Sequence, residues 1–364
     1  MKNEPNTHSG RRPSTSIVLL LTFVLHGAAL GAQEAPAVAA AETAASAEAR
    51  AAYAEGRTLW STRKASDLQA SLIPLQRAVE LAPEWATAHS GLADSLALLG
   101  LYGARPANET LPLAGAAARR ALELDAALGQ AHASLGLTQY LYEHDYDNAE
   151  RSFRKALELD PGLASARHWM AMMFSAQERH GEALELIDTA VEQAPSSALL
   201  CNKRGTILRN ADLLTRARTQ LIDCRERHGP SSLNLRETAS IDLLEERWAD
   251  ARNRLLQAQQ MAPTDGRTLA LLGYTAIRAG EDDLAEEVRE TLGELSAERY
   301  LPVSTLLGLY VGAGEVDRAF RTLREALENR EAGIVYIATR PELLPLRGDP
   351  RFQTALDSLG LGRK

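Results

Sequence analysis

Eight histidines and two cysteines are the residues best suited to metal or nucleophilic chemistry in this 364-residue chain, and their spacing decides what they can do. No H-E-x-x-H pair and no Cys/His cluster occurs, and one of these patterns is what brings several ligands onto one zinc ion. Glu143-His144-Asp145 sets three polar groups side by side at a helix turn, yet without a distant fourth ligand it reads as a solvated loop. The serines lack a G-x-S-x-G setting, and no G-x-x-x-x-G-K loop is present to cradle a phosphate. The expectation is a non-enzymatic chain with no cofactor, no metal and no catalytic residue.

Formal net charge is -8. The first 32 residues hold Lys2, Arg11, Arg12 and Glu4, so without them the balance is -10. Nucleic acid is disfavoured as a partner, because phosphate binding needs a positive footprint and no run of Lys and Arg interleaved with aromatics overrides the acidic total. Aromatic residues make up 5% of the chain, and Leu, Ala, Glu and Arg dominate. That mix favours helices over strands.

The elements that position any site follow from a 34-residue period. Ala149, Ala183, Ala217, Ala251, Ala285 and Ala319 share one phase. Four residues later stand Phe153, Ile187, Leu221, Leu255 and Leu323, and seven residues later Ala156, Ala190, Cys224, Ala258 and Ala326. Pro161, Pro195 and Pro263 close the unit, with Pro230 displaced by one. Each unit is then an antiparallel pair of helices, A and B. Small residues let the two backbones approach, a large apolar residue fills the groove between them, and proline ends helix B. On helix A the small positions are Ala171, Gly205, Ala239 and Gly273.

This A-x-x-x-F, A, P pattern resembles the tetratricopeptide repeat. The predicted fold is all-α: a right-handed solenoid of about eight helix-turn-helix repeats over 51–331, with 332–364 as a C-terminal cap. The two earliest repeats are looser, and Tyr102-Gly103-Ala104-Arg105-Pro106-Ala107-Asn108 is expected to lengthen an inter-helix loop by about eleven residues.

The runs Gly56-Arg57-Thr58-Leu59-Trp60, Arg77 to Pro83, Ala131 to Gly136, Phe153 to Pro161 and Leu346 to Phe352 also resemble the repeat region C-terminal to bacterial winged-helix regulators, adenylate cyclases and serine/threonine kinases. That resemblance implies a sensory or docking role. Only about 50 residues precede the first repeat, and they carry no motif of an effector domain.

Residues 1–32 read as a signal peptide or signal anchor: a basic start, the apolar run Ile17 to Leu25, then Gly27, Ala28, Ala29, Gly31 and Ala32 as small residues for cleavage. Residues 33–50 read as an Ala-rich linker. Cleavage would make the chain periplasmic or secreted. Retention would leave an inner-membrane anchor with periplasmic repeats.

Helix A lines the concave face of such arrays, and positions five, nine, twelve and thirteen point there. These select His168, Met172, Asn202, Thr206, Arg209, Asn210, Arg236, Ser240, Tyr274 and Arg278 as a partner-binding groove. Several arginines on an acidic protein suit an extended protein or peptide ligand of acidic or carboxylate character. The function read from this pattern is a protein-interaction scaffold, the alternative being the docking arm of a membrane-anchored signalling system. Cys201 and Cys224 face each other across one predicted hairpin. A disulfide there would add ~3 kcal/mol by loop entropy, while Cys224 equally fills a position that needs a small side chain.

Overall fold

The computed structural model describes residues 45–362. Residues 1–32, read above as a signal peptide or signal anchor, and most of the stretch read as linker lie outside these residues. Among the described residues there is no strand, and no helix is long and apolar enough to cross a membrane.

Eight helical hairpins follow one another. They are α1 (Ala47–Ser61) with α2 (Ala65–Leu81), α3 (Ala86–Leu101) with α4 (Ala107–Leu124), α5 (Gly129–Thr138) with α6 (Tyr146–Leu159), and α7 (Ala164–Ala176) with α8 (His180–Gln193). The second four are α9 (Ala198–Asn210) with α10 (Leu214–His228), α11 (Ser232–Leu244) with α12 (Trp248–Met261), α13 (Gly266–Ala279) with α14 (Asp282–Glu298), and α15 (Leu307–Gly312) with α16 (Val316–Glu328). Two 3₁₀ segments, Ala332–Thr339 and Pro341–Leu346, lead to α17 (Pro350–Ser358). The first helix begins at Ala47, inside the stretch expected to be linker, because Ser46 caps it by accepting a hydrogen bond from the Ala49 amide.

The periodic small residues do what close packing demands. A Cβ added to Gly205 would stand 2.7 Å from the Leu221 side chain, and one on Gly136 would stand 3.0 Å from the Phe153 ring. Ala149, Phe153 and Ala156 are fully buried, as are Ala183, Ile187 and Ala190 one unit later.

A second register governs the turns. His144, Glu178, Asp212, Glu246, Gly280 and Gly314, again 34 residues apart, all have positive φ. Each ends its A helix in the left-handed conformation, and the following amide reaches back into the last turn: Arg179 donates to the Phe174 carbonyl at 2.8 Å and Arg247 to the Asp242 carbonyl at 2.8 Å. Ser197, Ser231 and Asp265 cap the next A helices with their side chains in the same beat.

Two departures from the period have physical causes. In the third unit a π-turn, Gln139–Glu143, absorbs one extra residue. It sets Gly136, rather than Leu137, against Phe153. In the second unit the extra residues extend α3 and α4 instead of lengthening the loop, which is only Tyr102 to Pro106. Leu98, Leu99, Ala107 and Leu111 are buried, so continuing both helices covers apolar surface that a long loop would expose.

That short loop meets the other end of the array. A Cβ on Gly103 would lie 2.6 Å from Pro302, just before the eighth hairpin. Arg330 donates to the Tyr142 carbonyl at 3.0 Å, and Gly360 abuts the Tyr146 ring. The superhelix therefore closes on itself.

Candidate functional site

The A helices form the inner wall of this closed turn, and the chain's own C-terminal segment runs along it. Phe352, Ala355 and Leu359 of the tail join the apolar cluster of the last units. The tail also reaches further. Ala332 and Val335 belong to the apolar cluster of the first units, together with Met170 and Met172. Tyr336 meets Tyr140 of the π-turn edge-on, ring centroids 6.1 Å apart.

Polar contacts fix the same segment. Arg209 on α9 donates to the Thr339 carbonyl at 3.1 Å. Glu342 pairs with Arg267 of α13 and, at 2.7 Å, with Arg340. Burial alone would push the Glu342 carboxyl up, but Arg267 and Arg340 outweigh it and hold its pKa down to about 2. Burial pulls Arg340 down to about 10, which leaves it charged at neutral pH. Upstream, Glu331 accepts hydrogen bonds from the Val303 and Ser304 amides and ties the start of the segment to the eighth hairpin.

This occupancy decides how the expected groove residues stand. His168, Met172, Asn202, Thr206, Arg209, Ser240 and Tyr274 are buried. Asn210 and Arg236 are half-buried, and Arg278 is exposed over the Trp248 ring, 5.5 Å from its centroid. Much of their polarity is used within the wall. Asn202 accepts from Asn234 at 2.7 Å and donates to the Ala198 carbonyl. Thr206 and Ser240 donate to carbonyls one turn back. Asn210 donates to Ser175, and Arg236 pairs with Asp265. Tyr274 packs against Trp248 and Gly312. The open concave trough expected from the sequence is thus a filled core over much of its length.

Three cations matter here that positional reasoning did not select. Arg267 holds the tail, Lys203 stands beside Asn202, and Arg63 occupies the first inter-helix turn with positive φ. Lys203 and Arg63 lie outside the four concave positions, and Arg267 belongs to a contact spanning 75 residues that no local pattern encodes.

Elsewhere the chemistry is structural. Cys201 and Cys224 are joined in a disulfide, Cα atoms 5.8 Å apart, across the fifth hairpin. His144 is the left-handed turn residue and Asp145 caps α6 through the Asn148 amide, which accounts for that polar trio. Among the described residues no group of His, Cys, Asp and Glu gathers around a point that could hold a metal ion.

Residues 140–200 match the tetratricopeptide repeat model. No curated protein matches the sequence. Among solved structures, the chain is similar to one in the APC/C hetero-tetramer Cut9-Hcn1, at a TM-score of 0.55 and 17% identity over 78% of this chain and 54% of that one. It is also similar to a tetratricopeptide repeat protein from Parabacteroides merdae, at 0.49 and 20% over 70% and 95%, and to pilF of Pseudomonas aeruginosa, at 0.42 and 21% over 57% and 93%. The repeat phase and the recurring hairpin give this chain an all-α solenoid fold, within which residues 140–200 match the tetratricopeptide repeat.

Proposed function

We propose that this chain is a non-catalytic scaffold that binds a protein or peptide partner along the inner wall of its superhelix, and that it works outside the cytoplasm. The fold is a protein-interaction fold. One observation carries the reading: a chain of net charge -8 sets Arg209, Arg236 and Arg267 along its inner wall, and its own Glu342 already docks there. A partner segment with acidic side chains has the matching chemistry. Export is supported by the basic and apolar start of the chain and by the Cys201–Cys224 bridge, since disulfides persist in oxidising compartments.

The test is affinity capture from a cell-envelope extract with the tagged full chain, alongside an Arg236→Glu variant and an Arg204→Glu control. Arg204 pairs with Asp188 and is not among the predicted groove residues. A partner retained by the wild type and the control but lost from Arg236→Glu supports the inner wall. Equal recovery by all three overturns it.

A further inference from the structure

Where the fifth hairpin meets the sixth, three carboxylates and three arginines neutralise one another. Asp242 on α11, wholly buried, takes Arg218 of α10 at 2.9 Å and also Arg254 of α12. Glu245 takes Arg218 at 2.7 Å, and Asp250 takes Arg247 at 2.7 Å. A fourth arginine has no such partner. Arg225, exposed two turns along α10 from Arg218, makes no side-chain hydrogen bond or ion pair with any described residue.

Arg225 nevertheless faces a built space, because it lines two cavities. The first, of about 130 Å³, is bounded by all four arginines together with Leu221 and Ile222. The second, of about 210 Å³, is bounded by Arg225 and Arg254 again, with Asp250, Asn253 and Gln257. Arg225 and Arg254 therefore belong to both. Arg254 gives only Nη1 to Asp242, so its remaining N–H groups and the whole Arg225 fork are left to bind an acceptor. Asp250 does not cancel them, since Arg247 already holds it through both Nε and Nη2.

The first cavity is amphipathic. Leu221 and Ile222 give it an apolar side, and Ile222 stays 40% exposed there. Its size approaches the ~150 Å³ that admits one benzene-sized group. An inorganic anion would answer Arg225 and leave Leu221 and Ile222 in water, whereas a hydrocarbon would cover those two and leave Arg225 without a counter-charge. A molecule with a carboxylate at one end and a short branched hydrocarbon at the other satisfies both.

We propose that the cleft between α10 and α12 binds a small aliphatic carboxylate, its carboxylate bridging Arg225 and Arg254 and its hydrocarbon lying on Leu221 and Ile222. Both helices are the second of their pairs, so this site is distinct from the inner wall built by the A helices and does not rest on the partner reading.

The full chain is titrated with isocaproate, isocaproamide and inorganic phosphate, by calorimetry and by ligand-observed NMR. Saturable isocaproate binding that weakens roughly tenfold or more in Arg225→Gln, the loss of a charge-assisted contact, and that also weakens in Ile222→Ser, supports the site. Arg216→Gln is the matched control, an exposed arginine of the same helix that lines neither cavity. An equal loss in that control would make the effect one of overall charge and overturn the assignment. Isocaproamide binding as tightly as isocaproate, or phosphate binding as tightly and indifferent to Ile222→Ser, overturns the aliphatic carboxylate. So does the absence of saturable isocaproate binding up to about 10 mM, the weak end for a ligand of this size. Without ligand, Arg225→Gln should melt at the wild-type temperature. A clear drop would make Arg225 a structural residue and sink the proposal.

Discussion

Tyr140 and Tyr336 meet at 86° with ring centroids 6.1 Å apart, one in the π-turn of the third unit and the other beyond the last hairpin. The π-turn supplies the extra residue that brings Tyr140 to this wall, and the edge-on pair anchors the C-terminal segment where it passes the early repeats. Tyr336→Ala should lower global stability by about 1–3 kcal/mol, from lost ring burial and the lost aromatic pair. Hydrogen exchange would then show residues 332–346 opening ahead of the hairpins. Unchanged protection of that segment would mean that Tyr336 does not anchor it.

Glu342 sets an acid limit. Its folded pKa, about 2, lies below the ordinary 4.5, so its contribution is complete above the unfolded value and is lost as pH falls from about 4.5 toward 2. Glu342→Gln leaves Arg340 buried without its carboxylate. The variant should be less stable by about 3 kcal/mol at pH 7, and its stability should converge on the wild type near pH 2. Parallel stability curves across that range would contradict this assignment.

The Cys201–Cys224 bridge closes a short loop within one hairpin, at a sequence separation of 23. Reduction, or the Cys201→Ala/Cys224→Ala double variant, should remove about 3 kcal/mol. Urea unfolding with and without reductant measures it. The double variant should be indifferent to reductant, and a wild type equally indifferent would carry two free thiols.

The left-handed turn residues make a more local prediction. Glu246 holds φ at 55° with a full side chain, whereas Gly280 fills the same place one unit later. Left-handed backbone costs a non-glycine residue roughly 1–2 kcal/mol. Glu246→Gly should therefore stabilise by about 0.5–1 kcal/mol after the entropy that glycine loses on folding, and Gly280→Ala should destabilise by about 1. Thermal melts of the two variants moving in the same direction would refute the argument.

Hairpins were legible in the sequence because each depends on neighbours within one period. Ala149, Phe153, Ala156 and Pro161 encode one helix pair between them, and five copies reinforce the phase. The turn register was equally periodic but hidden by its side chains: His144, Glu178, Asp212 and Glu246 share a conformation, not a chemistry. The second unit was misread because its added residues were apolar and joined helices. The inner wall was legible only in part. Position within the repeat selects Arg209 but not Arg267, which also holds the tail, and it does not show what covers either. Thr339 and Glu342 reach α9 and α13 through contacts spanning 130 and 75 residues, and nothing near Arg209 or Arg267 announces them.

A linear stack of hairpins can gain or lose a unit at modest cost, since every member answers only to those beside it. The meeting of Gly103 with Pro302, and of Tyr142 with Arg330, removes that freedom. Excising one 34-residue link would swing the far end past its seat and leave Tyr336 facing the wrong helix. The number of links is fixed by the clasp, and the two ends of this protein should melt together rather than fray apart.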